Sequence, residues 1–115
     1  MIFVVDDDEM MAECVALATK KETKIFSNAY AAMAEIADGN LPEMIFLDIL
    51  LTGPDGFTFL NELVSYTDTA KIPVIIISSL DLGGRDFSIY GVVGVLSKDT
   101  MKPKDVRRYV EQYAK

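Results

Sequence analysis

Apolar and polar residues fall along this chain in blocks rather than one by one. Ile2-Phe3-Val4-Val5, Met44-Ile45-Phe46-Leu47 and Val74-Ile75-Ile76-Ile77 are short, continuously apolar runs rich in β-branched residues. Such runs suit strands buried on both faces, the condition of a parallel sheet. Lys24-Ile25-Phe26 and residues 92–96 predict two more strands, the second interrupted by Gly94. Between the strands the spacing changes to the helical period. Helices are expected over 9–19, with Met11, Cys14, Val15 and Ala18 on one face, and over 29–38, capped by Ser27 or Asn28 and stopped at Gly39-Asn40. Two more are expected over 57–66, with Phe57, Leu60, Leu63 and Val64 on one face, and over 103–113, where Pro103 fits a first turn. Residues 80–90 contain Gly83-Gly84, and a helix-interior glycine costs about 1 kcal/mol relative to alanine. The helix there, fourth in order, is expected to be short or irregular.

Strands alternating with helices predict an α/β fold, a doubly wound parallel sheet of five strands between two helical layers. No repeat or linker breaks the pattern, so one domain over 1–115 is expected. In such sheets ligands bind beyond the carboxyl ends of the strands. There the first strand ends in Asp6 and Asp7, the third in Asp48 and the fourth in Ser78, while Lys98 follows the fifth. Carboxylates with carbonyl or water oxygens suit Mg²⁺. A hydroxyl and an ammonium suit an anionic oxygen such as that of a phosphoryl group, and a carboxylate can itself accept a phosphoryl group. The next acids, Asp8 and Glu9, are assigned to the start of the first helix, where the dipole favours negative charge. Asp55 is assigned to capping of the third helix, and Arg107 and Arg108 to a solvated face on which Tyr109 and Tyr113 would suit a protein contact.

Composition narrows the function further. The net charge of −7 argues against a broad nucleic-acid surface. The absence of histidine excludes imidazole acid–base catalysis and histidine metal ligands on this chain. The single cysteine, Cys14, excludes an internal disulfide and is expected as a small buried hydrophobe. No apolar run approaches the length of a membrane span and no signal peptide is visible, so a cytoplasmic location without membrane contact is expected.

The motifs VVDDDE, FLDILLTGPDG around Asp48, PVIIISS and GVVGVLSK, in that order and spacing, resemble the receiver domain of two-component response regulators along essentially the whole chain. The resemblance implies the flavodoxin-like strand order 2-1-3-4-5. It implies that Asp48 accepts a phosphoryl group from a sensor histidine kinase or a histidine phosphotransfer protein. It implies that Asp7, Asp6, Asp48 and the backbone carbonyl of Leu50 hold Mg²⁺, Asp6 mainly through water, and that Ser78 and Lys98 meet the phosphoryl oxygens. An output partner or a further effector domain, and a phosphorylation-dependent dimer, belong to the same implication.

The sequence also departs from that family. Asp99 stands where a proline, often in a cis bond, usually follows the lysine, and Thr52 replaces a common loop proline. Val95 occupies the position of a usual aromatic switch residue, with Tyr90 nearby in sequence as a substitute. Leu50 and Leu80 occupy two positions that tune hydrolysis in the family, and neither can orient a water, so slow autodephosphorylation is expected. The departures leave a second reading, a phosphorylation-independent interaction module. A Mg²⁺-dependent phosphatase is disfavoured, because Leu50 stands where a second carboxylate would act as acid and base.

Overall fold

In the computed structural model, which describes residues 1–50, 56–79 and 87–114, strands and helices alternate as the apolar blocks require. They are β1 (Ile2–Val5), α1 (Glu9–Thr19), β2 (Thr23–Phe26), α2 (Ala29–Ala37), β3 (Met44–Asp48), α3 (Gly56–Val64), β4 (Val74–Ser78), β5 (Val92–Ser97) and α4 (Pro103–Tyr113), with a 3-10 turn at Ser88–Tyr90. All strand pairs are parallel, in the order β2-β1-β3-β4-β5. This is the expected flavodoxin-like arrangement.

Each central strand feeds two cores because successive side chains point to opposite faces. Ile2, Val4, Met44, Phe46, Ile75 and Ile77 pack under α1 and α4. Phe3, Val5, Ile45, Leu47, Val74 and Ile76 pack under α2, α3 and the 3-10 turn. The helix starts follow from capping. Asp8 accepts a hydrogen bond from the Met11 amide, Asn28 accepts one from the Ala31 amide, and Pro103 opens α4. α2 stops where Gly39, with φ of 90°, turns its amide back to the Ile36 carbonyl.

One expectation changes. Cys14 is exposed, not buried. The buried face of α1 holds Ala12, Val15 and Ala18, with Met11 packed partly buried beside them, so of the expected face only Cys14 turns outward. The small side chains of Ala12 and Ala18 let α1 settle close to the sheet and α4. The expected helix over 80–90 falls largely on residues 80–86, outside the described residues; its end, Ser88–Tyr90, is a single 3-10 turn. Thr52 and Asp55 also lie outside the described residues.

Gly94 is explained by its neighbour. The register of β5 against β4 shifts between Val74 and Ile75, so that Ile75 pairs with Gly94. A Cβ on Gly94 would run into the ring of Tyr109 on α4. Glycine is thus what lets α4 lie flat on the edge strand, and Tyr109 is partly buried rather than offered outward. Gly94→Ala is expected to destabilise the fold by about 1–3 kcal/mol, read by urea denaturation. The double variant with Tyr109→Ala should show a coupling that partly relieves the clash. An unchanged midpoint in Gly94→Ala would contradict this packing.

Candidate functional site

The register of the sheet brings the chemistry together. Val5 pairs with Leu47, so Asp6 and Asp48 leave their strands side by side. Asp48 pairs with Ile77, which places Ser78 one step beyond it on β4. Ser78 pairs with Ser97, and the Lys98 amide donates to the Ser78 carbonyl, so Lys98 leaves β5 toward the same edge.

Asp6, Asp48 and Ser78 are buried, at 1%, 3% and 1% exposure, while Asp7 is open to solvent. Oxygens of Asp6, Asp7 and Asp48 all lie within 4.8 Å of one another. The Lys98 ammonium sits among them, 3.0 Å from Asp48 Oδ2 and 3.3 Å from Asp6 Oδ2. Backbone amides fix the carboxylates: the Asp8 N–H donates to Asp6 Oδ1 at 2.9 Å, and the Leu50 N–H donates to Asp48 Oδ1 at 3.0 Å. Both are two-residue turns of the kind that short acidic side chains form with their own backbone. These two amides were not among the expected site groups. The sequence signal for them is a carboxylate placed directly after a buried strand.

Burial pushes the Asp6 carboxyl up to about 6, helped by the neighbouring Asp48 charge and opposed by the Asp8 amide and Lys98. Burial by itself pulls the Lys98 ammonium down, but the hydrogen bond to Asp48 and the charges of Asp6 and Asp48 together raise it above its ordinary value. Lys98 therefore stays charged and serves as a fixed cation between two buried acids.

The donor set fits a hard divalent cation. Asp6 Oδ2 is buried and has no hydrogen-bond partner among the described residues, only the Lys98 ion pair. A carboxylate oxygen of Asp6 lies within 4.8 Å of one from Asp48 and one from the exposed Asp7. Oxygen ligands with room for water on one side are what Mg²⁺ accepts. Leu50 contributes its amide to Asp48 and is itself 49% exposed.

The departure at Asp99 leaves Lys98 in place. The Lys98–Asp99 peptide is trans, like every other peptide among the described residues. Ser97 supplies the turn instead. Its Oγ accepts from the Asp99 amide, and its carbonyl accepts from the amides of Thr100 and Met101. Asp99 is exposed. Val95 is 43% exposed, and Tyr90 packs partly buried against the core beneath α2 and α3.

Residues 2–111 match the response regulator receiver domain family. The chain is 36% identical over 107 residues to the response regulator PleD of Caulobacter vibrioides, covering 90% of this chain and 23% of that protein. The chain thus spans about a quarter of that relative's length. A crystal structure of a response regulator from Chloroflexus aurantiacus superposes with a TM-score of 0.81 at 26% identity, covering 97% of this chain and 94% of the other. The Mn²⁺-bound form of response regulator Rcp1 superposes with a TM-score of 0.72 at 25% identity, covering 96% and 88%.

Proposed function

This chain belongs to the response regulator receiver domain family of two-component systems, and on that premise we propose that it is a phosphorylation switch whose acceptor is Asp48. The observation that carries the proposal is the Lys98 ammonium lying within ion-pair distance of both Asp6 and Asp48 at the carboxyl edge of the sheet. Lys98 there balances acids that burial alone would disfavour, and it stands where a phosphoryl oxygen would arrive.

Asp6, Asp7, Asp48 and the Leu50 carbonyl are the groups proposed to hold Mg²⁺. The metal would supply charge neutralisation for the transferring phosphoryl group. The work of the chain is then positional. The Leu50 amide holds the Asp48 carboxylate in one orientation. An Asp48 oxygen attacks phosphorus, and the P–N bond of a phosphohistidine on a sensor kinase or phosphotransfer protein breaks. The leaving imidazole keeps the electron pair and takes up a proton. Lys98 and the Ser78 hydroxyl are proposed to meet two of the phosphoryl oxygens, which spreads the charge that develops there. Hydrolysis of the acyl phosphate resets the switch. The exposed Leu50 side chain offers no polar atom to orient the attacking water, so the reset is proposed to be slow. An effector domain or output protein that reads the state is part of the same reading.

Incubation with acetyl phosphate and Mg²⁺, followed by intact-mass measurement, tests the proposal. A single phosphoryl adduct is expected in the native chain, lasting minutes after the donor is removed, and none in Asp48→Asn. An equal adduct in Asp48→Asn would overturn the assignment of the acceptor, and decay within seconds would overturn the slow reset.

A further inference from the structure

α2 and α3 cover the same face of the sheet but touch sparsely, whereas α1 and α4 pack along each other. The space between α2 and α3 is a groove of about 700 Å³. Met33 and Ile36 of α2 and Phe59 and Leu63 of α3 line it, the last two continuous with the buried core. Ala34 and Ala37 keep the α2 wall low. Tyr30 and Tyr66 stand at its rim, 67% and 61% exposed.

The charge around this groove has one sign. Its charged lining residues are Glu62 and Asp68, with no lysine or arginine. Besides the tyrosine hydroxyls at the rim, the lining carries the Thr69 hydroxyl, which donates to the carbonyls of Leu63 and Tyr66. Asp38, exposed, caps the end of α2. Neither α2 nor α3 has a basic residue in its last turn, so the negative ends of both helix dipoles face this region uncompensated. These ends precede β3 and β4 and lie at the opposite edge of the sheet from Asp48.

We infer that the α2–α3 groove is a docking surface for a basic amphipathic helix of a partner protein. Such a helix places an apolar stripe at i, i+3, i+4 and i+7 along a groove, and α2 offers about 13 Å of wall, roughly two turns. Lysines or arginines flanking the stripe meet Glu62, Asp68 and Asp38. A second copy of this chain fits less well. Its most basic helix, α4, turns Val106 and Val110 into its own core and so presents no matching apolar stripe. Because the groove lies away from Asp48, docking there leaves the acceptor edge open to its own partners.

The test uses the full ¹⁵N-labelled chain and two capped synthetic helices. One has leucines at i, i+3, i+4 and i+7 with lysines elsewhere, and its twin has glutamate for every lysine. The lysine helix is expected to shift the amides of Ala34, Ala37, Leu63 and Tyr66 saturably, and to bind at least about tenfold more tightly than the twin. Glu62→Lys with Asp68→Lys, two exposed positions, should weaken it by about tenfold or more and leave acetyl phosphate loading of Asp48 intact. Equal binding of the twin, shifts confined to Asp6–Glu9, or groove shifts that depend only on protein concentration would each overturn the inference, the last in favour of a second copy. Loss of Asp48 loading in the unmodified chain would count against the phosphorylation reading alone.

Discussion

Lys98→Met is expected to destabilise the metal-free protein at pH 7.5 by about 2–3 kcal/mol. Removing one partner from a buried ion pair typically costs about 3–5 kcal/mol, because the other charge is left without compensation. Here the Lys98 side chain is 17% exposed while those of Asp6 and Asp48 are 1% and 5% exposed. Solvent at the lysine end reduces the loss, and the buried acids keep it large. Two accompanying effects separate this cause from lost packing. The penalty should shrink toward pH 5, where Asp6, whose carboxyl is raised to about 6, takes up a proton and no longer needs the ammonium. Mg²⁺ should recover part of it at pH 7.5 by replacing one cation with another. Phosphoryl loading should also fall by about 10²-fold, the scale for removing one preorganised charge from a developing oxyanion. Urea denaturation across pH, with and without Mg²⁺, reads all but the last. A penalty independent of both pH and Mg²⁺ would mean that the lysine acts through its methylenes alone.

The second large effect is the pH dependence of the metal-free native chain. The Asp6 carboxyl is raised from an ordinary 3.8 to about 6 in the folded state. Between those values the folded protein binds more protons than the unfolded one, so stability falls as pH rises. The contribution is fully present below about pH 4 and is lost as pH passes through about 6. A shift of that size corresponds to about 3 kcal/mol. Mg²⁺ reverses the logic, because it favours the ionised carboxylates that burial and mutual repulsion disfavour. Adding Mg²⁺ should therefore stabilise the chain most above pH 6 and hardly at all near pH 4. Thermal or urea unfolding at fixed ionic strength measures both curves. A stability difference between the native chain and Asp6→Asn that stays constant from pH 4 to 7 without metal would contradict the raised Asp6 carboxyl.

The acidic edge was legible in the sequence because a parallel sheet turns strand ends into neighbours. Once five apolar blocks are read as strands, Asp6, Asp48, Ser78 and Lys98 must meet, whatever the loops do. The division of VVDDDE was legible for the same reason: Asp6 follows a buried strand, and Asp8 stands one residue before a helical pattern and caps it. The face of α1 was legible at Met11, Val15 and Ala18 but not at Cys14, which sits on the border of that stripe. Whether a border residue turns inward depends on how closely the neighbouring α4 and sheet approach. The role of Gly94 required a partner fifteen residues away on another element. The α2–α3 groove required the distance between two helices, which no local pattern encodes. Ser97, which shapes the turn where a proline is usual in the family, was hidden by its ordinary composition.

The most direct test of the central claim is a titration of the ¹⁵N-labelled chain with beryllofluoride, a phosphoryl mimic, in the presence of Mg²⁺. Amide shifts at Asp6, Asp48, Ser78 and Lys98 are predicted, requiring both mimic and metal and absent in Asp48→Asn. No shift at millimolar mimic with Mg²⁺ present, or the same shifts in Asp48→Asn, would contradict a phosphorylation switch centred on Asp48.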